Sequence, residues 1–500
     1  GDLLTGLLRV VDHYAVQAAA QRQRASLLLF TLMVGGMIGL LSSAGAIRGL
    51  AQVMRQRVRS RRAGQAVAWL MGTIIFFADY VSAIIVGSCL RPLTDRLRIS
   101  REKLAYLVDV TAAPLSAITL WSIWAPVEYD LLTQSLPTAT TQVVMQLRQA
   151  SMSFRLYPWL AVIFALLVLA MRRDFGPMLR AERRAVHFGQ VACPRGRPDA
   201  DFVEERLSIP AVQRPWGVAL VPFVLLVLVA AGGIFITGTA PALPDTAPGT
   251  AHRIPSTTSF DLIASIHAAF LHTDYAQAMV WSALCGSVAA LLLVVGRRLL
   301  PLSHAMEGWL RGVRAVLPAC MILVASWSLG QACDDLDTGR YLLRWLPQDS
   351  WPMTWIPAGI FLCTAALSFA VGTSWGTMAM CFPVVASLAT AAAGQAALPA
   401  LIGAAAAGAV WGDHCSPLSD TTIVASMACS CDHRDHVRTQ LPYALLVGSV
   451  SLVFGTLGTG FDLYPWWVAL LLGTIALAAL LQFYGKSAEI SNAEKHSSSL

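Results

Sequence analysis

Residues 351–412 contain no Asp, Glu, Lys, Arg or His, and this stretch constrains the fold more than any other feature of the chain. A soluble domain carries about 25% charged residues, so a water-exposed segment of this length would not remain free of charge. One membrane span needs about 20 apolar residues, so the stretch is also too long for a single crossing. The sequence therefore predicts a polytopic integral membrane protein.

The composition of the whole chain agrees with this interpretation. Of the 500 residues, 56% are hydrophobic and 13% are charged, and the mean hydropathy is +0.60. The ten Cys lie mostly inside apolar segments, where they behave as small hydrophobic residues, and we infer no disulfide framework. The net charge of +7 comes from Arg clusters beside apolar runs, which is typical of membrane topology rather than of nucleic-acid binding. Single spans are predicted at 25–47, 216–237, 275–296 and 441–461.

Basic residues are distributed unevenly among the connections between apolar runs. Residues 48–62 carry six Arg and no acid, and residues 172–214 carry nine Arg. Because cytoplasmic loops are enriched in Lys and Arg, such connections are assigned to the cytoplasm. The connections predicted to be cytoplasmic are 48–62, 91–103, 172–214 and 297–314. Those predicted to be external are 126–155, 238–274 and 334–350. The sides alternate correctly across spans 104–125, 156–171, 216–237, 275–296 and 315–333.

Residues 64–90 break this alternation, because the connections on both sides are basic. The segment is apolar on either side of one polar point, at Asp79. The simplest solution is a re-entrant hairpin that enters the membrane and returns, with Asp79 near its tip. Non-helical backbone at membrane depth is tolerated only where protein or a water-filled cavity covers it, so the tip should line a cavity.

The two ends of the chain repeat one order of features with opposite polarity, about 300 residues apart. A span, a polar-broken apolar segment and a span with an internal Pro-Leu-Ser string occur in both halves, the string at 114–116 and at 417–419. Paired Gly/Pro-interrupted segments in inverted halves are typical of alternating-access transporters. The predicted fold is an all-α polytopic membrane protein with inverted-topology repeats, two re-entrant hairpins and two broken transmembrane helices.

Residues 1–500 are predicted to form a single transporter domain. Because the chain begins with Gly1 rather than Met, we expect it to be truncated at its N-terminus. The predicted parts are a first repeat core at 25–125, connecting spans at 126–314 with the cytoplasmic loop 172–214, a second repeat core at 315–425, C-terminal spans at 426–485 and a cytoplasmic tail at 486–500.

Ionisable residues inside the predicted membrane segments are few. Each costs about 2.5–3.5 kcal/mol to insert, so each is a functional candidate by default. Burial disfavours a charged carboxylate and an arriving cation favours it, so one carboxylate can hold either a proton or a small hard cation. Neighbouring hydroxyls and carbonyls supply the oxygen ligands that hard cations prefer. The predicted cation- and proton-binding residues are Asp79, Asp109, Asp413, His414, Ser416, Asp420 and Thr421, with Thr373 and Ser374 at the second hairpin tip.

Structural roles compete with these functional ones. Asp109 lies near the predicted cytoplasmic end of its span and could snorkel or cap a helix. Asp420 could be the N-cap of the helix that follows it. His414 could be a hydrogen-bonded core histidine, and Ser or Thr in membrane helices often bond the preceding turn.

A second polar cluster lies at the predicted membrane edge, at residues 429–436. Its Cys and His spacing resembles a zinc ligand set, and its His residues could gate the protein or sense pH, because His titrates near neutrality. The competing interpretation, favoured here, is a solvated cytoplasmic-edge loop with incidental thiols. The residues concerned are Cys429, Cys431, Asp432, His433, Asp435 and His436.

Four longer strings resemble the NhaC family of sodium/proton antiporters. They are GDHCSPLSDTT at 412–422, CDHRDHVRTQLPYAL at 431–445, GTSWGTMA at 372–379, and RPLTDRLRISREKLAYLVD followed by TAAP within 91–114. The resemblance runs from about residue 10 to about residue 460. It implies a bacterial inner-membrane location and exchange of external protons for cytoplasmic sodium. The residues that match the polar motifs of the family are Asp79, Asp413, His414, Ser416, Asp420 and Thr421.

The first hairpin departs from the family pattern. Members typically show two adjacent acids and an Asn, in a pattern like FFDDYAN, where this chain has Ala78 in place of the first acid and Ser82 in place of the Asn. A usual Asn is also replaced by Ser88. Losing a carboxylate changes the charge count of a cation site, so ion stoichiometry, ion identity or coupling could differ. The resemblance also covers proteins that move organic acids or amino acids.

The leading functional prediction is a secondary active Na+/H+ antiporter that works by alternating access. The alternative is a Na+- or H+-coupled carrier of an organic solute, such as an amino acid or a carboxylate. No nucleophile–base constellation, nucleotide loop or soluble domain is evident in the sequence, so neither an enzyme nor a cofactor is predicted. The predicted partners are sodium ions, protons and the lipid bilayer, with no nucleic acid, and a homodimer is left open.

Overall fold

Among the residues that it describes, the computed structural model contains helices joined by turns and short connections, and its one β-type pairing is an isolated bridge between Asp174 and Lys486. Six of the described helices are long and apolar enough to cross a membrane, or seven if the bent pair Gln142–Phe154 and Leu156–Met171 counts as one span. The predicted all-α, multi-span class is therefore confirmed. The described residues are 9–47, 49, 53, 57–76, 79–119, 122, 124–136, 139–194, 216–239, 274–336, 341, 353–388 and 397–489.

The first part of the chain contains one long helix and two interrupted ones. Helix α4 ends before Thr111, and helix α5 begins two residues later with Pro114 in its first turn, where a missing N–H is tolerated. Asp79 is the first residue of α3, and residues 77 and 78 lie outside the described part of the chain. The helices are α1 (Arg22–Ser43), α2 (Arg61–Ile74), α3 (Asp79–Arg96), α4 (Arg101–Val110) and α5 (Ala113–Ala117). Before α1 lie a π-helix, Val10–Ala15, and a helix, Val16–Ala20.

The middle of the chain holds more helix than its charges predicted. Residues 126–155, predicted to be an external connection, contain most of α6 and all of α7. That prediction missed a buried ion-pair cluster, in which Glu128 contacts both Arg148 and Arg155. A loop assigned by charge counting alone cannot show that opposite charges neutralise one another inside the protein. The helices are α6 (Trp124–Ser135), α7 (Thr141–Ser151), α8 (Leu156–Met171), α9 (Gly176–Phe188), α10 (Trp216–Thr239) and α11 (Tyr275–Gly296).

The later part of the chain also contains one long helix followed by shorter ones. Helix α13 ends at Gly372, whose φ of +74° is in the left-handed region that favours glycine. Helix α15 ends at Cys415 and α16 begins at Asp420, with Pro417 in the break. The helices are α12 (Leu302–Asp335), α13 (Ile356–Val371), α14 (Ser374–Leu388), α15 (Leu398–Cys415) and α16 (Asp420–Ala428).

The last two helices are α17 (His433–Val450), which continues as a π-helix to Leu457, and α18 (Trp466–Tyr484). The predicted cytoplasmic-edge loop at 432–436 is wrong, because α17 begins at His433 with Asp432 as its N-cap. His436 is fully buried on the first turns of this helix. The apolar pattern alone placed the start of this span at residue 441, too late by about two turns.

Helices α1 and α12, the first helices of the two halves, pack at very close range. A Cβ added to Gly312 would lie 2.2 Å from the Gly35 carbonyl oxygen, and one added to Gly39 would lie 2.5 Å from the Gly308 carbonyl oxygen. No side chain fits at such contacts, so the two backbones touch. Helix α3 packs against α16, and α14 packs against α15, which brings the helix interruptions of both halves together.

Polar contacts connect α9 with α2 and with the start of α4. The buried carboxylate of Glu182 accepts hydrogen bonds from Arg61 (2.5 Å), Gln65 (3.2 Å) and the Ser100 amide (2.8 Å). The predicted loop 172–214 therefore begins with an ordered helix rather than with irregular chain.

Candidate functional site

Asp79 and Asp420, one from each half, lie at the N-termini of α3 and α16 and are both buried. The Tyr80 hydroxyl donates to Asp420 Oδ2 at 2.8 Å, so a residue adjacent to one acid holds the other. The Trp124 indole N–H donates to Asp79 Oδ2 at 2.8 Å. The alternative role of Asp420 as an N-cap is wrong, because Ser419 caps α16 by accepting from the Thr422 amide.

Asp413, on the last turn of α15, faces the start of α14. Its Oδ2 accepts from the Ser374 hydroxyl at 2.8 Å. Its Oδ1 is buried and has no hydrogen-bond partner among the described residues. No Lys or Arg of the described chain forms an ion pair with Asp413 or Asp79. A buried carboxylate without a basic partner is costly unless it carries a proton or contacts a cation.

A cavity of about 560 Å³ is lined by Asp420, alone among these three acids, together with Tyr80 and Thr373. An ion pair between Arg22 and Asp274 lies at its margin. Aromatic rings surround Trp375 in the cavity wall, all in edge-to-face contact with it. Their ring centroids lie 5.7 Å (Tyr275), 5.9 Å (Trp124) and 6.5 Å (Tyr80) from that of Trp375.

A second group of buried polar side chains surrounds Asp109. Its Oδ2 accepts from Thr422 Oγ1 at 2.8 Å and from Gln440 Nε2 at 2.7 Å. Its Oδ1 lies 4.0 Å from His414 Nε2, and neither atom has a hydrogen-bond partner among the described residues. His414 Nδ1 contacts the Tyr157 hydroxyl at 3.0 Å. Asp109 is fully buried between α16 and α17, so it neither snorkels nor caps a helix end.

The side chains of Ser416 and Thr421 contact groups other than a carboxylate, while the Thr421 backbone is bonded to Asp420. Ser416 Oγ donates to the Phe369 carbonyl at 2.8 Å and accepts from the Leu418 amide, so it links the break to α13. Thr421 Oγ1 contacts Ser419 Oγ at 3.2 Å. The carbonyl of Thr373 accepts from Thr377. The structure thus brings Asp79, Asp413, Asp420 and Ser374 to one place, and Asp109 with His414 to another.

Sequence reasoning missed three side chains that contact the acids, Tyr80, Trp124 and Gln440, and one that contacts His414, Tyr157. Tyr80 is adjacent to a singled-out acid, and that adjacency was a usable signal. The other three lie within two residues of a Pro (Pro126, Pro158 and Pro442) in helices that continue past it, so that Pro did not mark an interruption.

The Cys and His cluster does not form a metal site in the described part of the chain, where no group of three or more His, Cys, Asp or Glu side chains could hold a metal ion. Both ring nitrogens of His433 have other partners, Ser426 and the Pro417 carbonyl. Ala78, where the family pattern has an acid, lies outside the described residues.

Comparison with known proteins shows where this sequence belongs. The sequence model described as the "Na+/H+ antiporter family" matches residues 138–459. An uncharacterized protein of Haemophilus influenzae is 30% identical over 440 residues, which cover 87% of this chain and 78% of that protein.

Two further relatives match shorter stretches. An uncharacterized Na+/H+ antiporter of Haemophilus influenzae is 42% identical over 96 residues, covering 18% of this chain and 20% of that protein. A malate-2H+/Na+-lactate antiporter of Bacillus subtilis is 33% identical over 141 residues, covering 27% of this chain and 28% of that protein. These two matches are local, so what the names say of those proteins does not by itself describe this chain.

Proposed function

Because the chain belongs to the Na+/H+ antiporter family, we propose that it exchanges cytoplasmic Na+ for external protons by alternating access in a bacterial inner membrane. The shared family and the apolar helices identify it as a multi-pass membrane transporter. The choice of Na+ and H+ as the exchanged ions, and the direction of exchange, are the proposal.

The observation that carries this proposal is the environment of Asp413. One carboxylate oxygen is held by Ser374 and the other is buried without a partner in the described chain. A proton and a small hard cation each remove the cost of the buried charge, and the two cannot both do so at one carboxylate. Competition for one carboxylate is sufficient for exchange, because binding of one ion then requires release of the other.

We further propose that α2–α3 and α13–α14 are the two re-entrant hairpins of an inverted repeat. One hydrogen bond of the same kind in each half supports this pairing. Ser116 Oγ donates to the Phe76 carbonyl at 2.9 Å, and Ser416 Oγ donates to the Phe369 carbonyl at 2.8 Å, so each broken helix is bonded near the C-terminal end of the first helix of its own hairpin. In such repeats the ion site lies near the midplane, where half-helix ends meet.

The test is transport by the purified protein in proteoliposomes with an imposed pH gradient. We expect a sodium pulse to dissipate the gradient, and Asp413→Asn to abolish this response, because an amide cannot exchange a proton for a cation. Asp462→Asn is the matched control, since Asp462 is exposed and has a φ of +50°, which Asn also tolerates. Full activity of the Asp413 variant would refute the site, and a gradient insensitive to sodium would refute the proposed ions.

The alternative, a Na+- or H+-coupled carrier of an organic solute, is favoured by the cavity. Its volume of about 560 Å³ lies within the range of about 300–1,000 Å³ for small-molecule pockets and far exceeds the size of a sodium ion. Uptake of labelled carboxylates and amino acids into the same proteoliposomes distinguishes the two functions. Solute uptake without sodium-dependent proton flux would replace the leading proposal with this one.

A further inference from the structure

Three side chains form a hydrogen-bonded cluster apart from the acids, where α16 ends and α17 begins. Ser426 Oγ lies 3.1 Å from His433 Nδ1 and 2.8 Å from His436 Nδ1, so one hydroxyl lies between two imidazoles. Ser426 and His436 are fully buried, whereas His433 is half-buried at the edge of the protein. The cluster therefore extends from the interior to the surface.

The outer histidine has a defined tautomer. His433 Nε2 lies 2.6 Å from the Pro417 carbonyl, which can only accept a hydrogen bond. His433 therefore carries a hydrogen on Nε2, and in the neutral ring Nδ1 is left as an acceptor that faces Ser426.

The inner histidine is fixed in the same way through Gln440. The Gln440 amide N–H2 donates to Asp109 Oδ2 and to the His414 carbonyl (3.1 Å), which are both acceptors, so its oxygen faces His436. His436 Nε2 lies 3.1 Å from that oxygen and must donate to it. In the neutral ring, His436 Nδ1 is thus also an acceptor that faces Ser426.

The two rings need one hydrogen more than this cluster has. With both rings neutral, two Nδ1 atoms face the single hydroxyl hydrogen of Ser426, and the Thr422 carbonyl at 2.7 Å also accepts it. One added proton lets one ring donate from Nδ1 to Ser426 Oγ, while the hydroxyl donates to the other ring. We propose that His433, Ser426 and His436 form a binding site for one proton that the two imidazoles share.

The charges around His436 couple this site to Asp109. Burial opposes a positive charge here, as does the N-terminal end of α17. The carboxylate of Asp109, on the far side of Gln440, favours it. The titratable groups that face His436 are Asp109 of α4, His414 of α15 and His433 of α17; Asp432, Arg434, Asp435 and Arg438 lie on the outer face of α17.

Occupancy of the shared site therefore follows the charge on Asp109. The proton binds while Asp109 is ionised and leaves through His433 when a cation or a proton neutralises Asp109, and the linkage holds equally in reverse. Gln440 transmits the charge but carries no proton. If the protein exchanges Na+ for H+ as proposed above, this cluster is a proton-release site at the predicted cytoplasmic end.

Nuclear magnetic resonance of the full-length protein, labelled with 15N-histidine and held in nanodiscs, tests the site without transport. Resonances are assigned with His433→Gln and His436→Gln. In the wild type we expect the two rings to change together in one protonation step. Ser426→Ala removes the bridge, so the rings should titrate separately, and the first proton should bind about tenfold more weakly. Asp109→Asn should weaken proton binding by a similar factor.

The matched control is His187→Gln, because His187 is an exposed histidine on α9 and its loss should leave the titration unchanged. His433→Gln serves as a second variant at the protein edge that should also abolish the shared step if Ser426→Ala does not fold. Independent titration of the two rings in the wild type, or an unchanged titration in Ser426→Ala, would overturn the proposal. A shared step in a protein that fails to exchange sodium would leave this site standing and refute only the proposed function.

Discussion

The segment that follows α5 and the break between α15 and α16 have different polar surroundings. After α5, the carbonyl oxygens of Ala117 and Thr119 accept from Arg155 and Arg148, and both arginines pair with the buried Glu128. At the break between α15 and α16, no such basic cluster is present among the described residues, and two acids flank the break instead.

This difference distinguishes a structural ion-pair cluster, formed by Glu128, Arg148 and Arg155, from a candidate ion-binding site. After α5, charges that belong to the protein pair with one another and with backbone carbonyls, so no ion needs to bind there. At the break between α15 and α16, Asp413 keeps a buried oxygen without a partner in the described chain, so its charge depends on an ion that comes and goes. Variants in the cluster after α5 should therefore change stability, and variants at the break between α15 and α16 should change transport.

Replacing Glu128 should have the largest effect. Glu128→Gln leaves two buried guanidinium groups without their carboxylate, and breaking a buried pair costs about 3–5 kcal/mol. We expect a large loss of thermal stability in detergent. Glu307→Gln, at an exposed position, is the control and should unfold as the wild type does. Normal stability of Glu128→Gln would contradict the structural role assigned to the Glu128 cluster.

Asp413→Asn should produce the reverse pattern. Because the charge is lost and the shape is kept, we expect sodium-dependent proton flux to fall at least about 100-fold, equivalent to about 2.7 kcal/mol. The unfolding temperature should stay the same or rise, since a buried charge has been removed. A loss of stability as large as that of Glu128→Gln would mean that Asp413 also has a structural role.

Tyr80→Phe should have an intermediate effect, because it removes one neutral donor to Asp420 and keeps the ring. A hydrogen bond to a charged group contributes about 1.5–3 kcal/mol, so the sodium concentration for half-maximal exchange should rise by at least about tenfold. Tyr484→Phe, on an exposed ring, is the control. If only the maximal rate changed, Tyr80 would act in the conformational step rather than in ion binding.

The smallest effects should come from Ser116 and Ser416, whose hydroxyls donate to the carbonyls of Phe76 and Phe369. Ser116→Ala and Ser416→Ala each remove one hydroxyl–carbonyl hydrogen bond, worth about 0.5–1.5 kcal/mol. If the two hydrogen bonds have the same role, both variants should lose similar stability in thermal unfolding. A loss at only one position would show that the two hydrogen bonds have different roles.

Sequence patterns predicted the all-α class because hydropathy and charge act over short stretches of chain. They also marked the interruptions near residues 111–116, 372–376 and 414–419, since Gly and Pro have local backbone effects. They misplaced the start of α17 and did not reveal the buried ion pairs within residues 126–155. In both places, polar side chains lie inside the protein because partners from distant segments satisfy them, and no local pattern records those partners.

The sequence by itself determined that this protein crosses a membrane several times, that it belongs to an antiporter family, and that a few intramembrane acids are functional candidates. Each of these follows from composition or from strings of neighbouring residues. Only the tertiary structure separated Asp79, Asp413 and Asp420 from the group around Asp109 and His414. It also showed that Tyr80, Trp124 and Gln440 donate hydrogen bonds to the acids, and that Ser426 contacts both His433 and His436. Hydrogen bonds between residues far apart in the chain decide these groupings, because a buried polar atom is stable only where the fold supplies its partner.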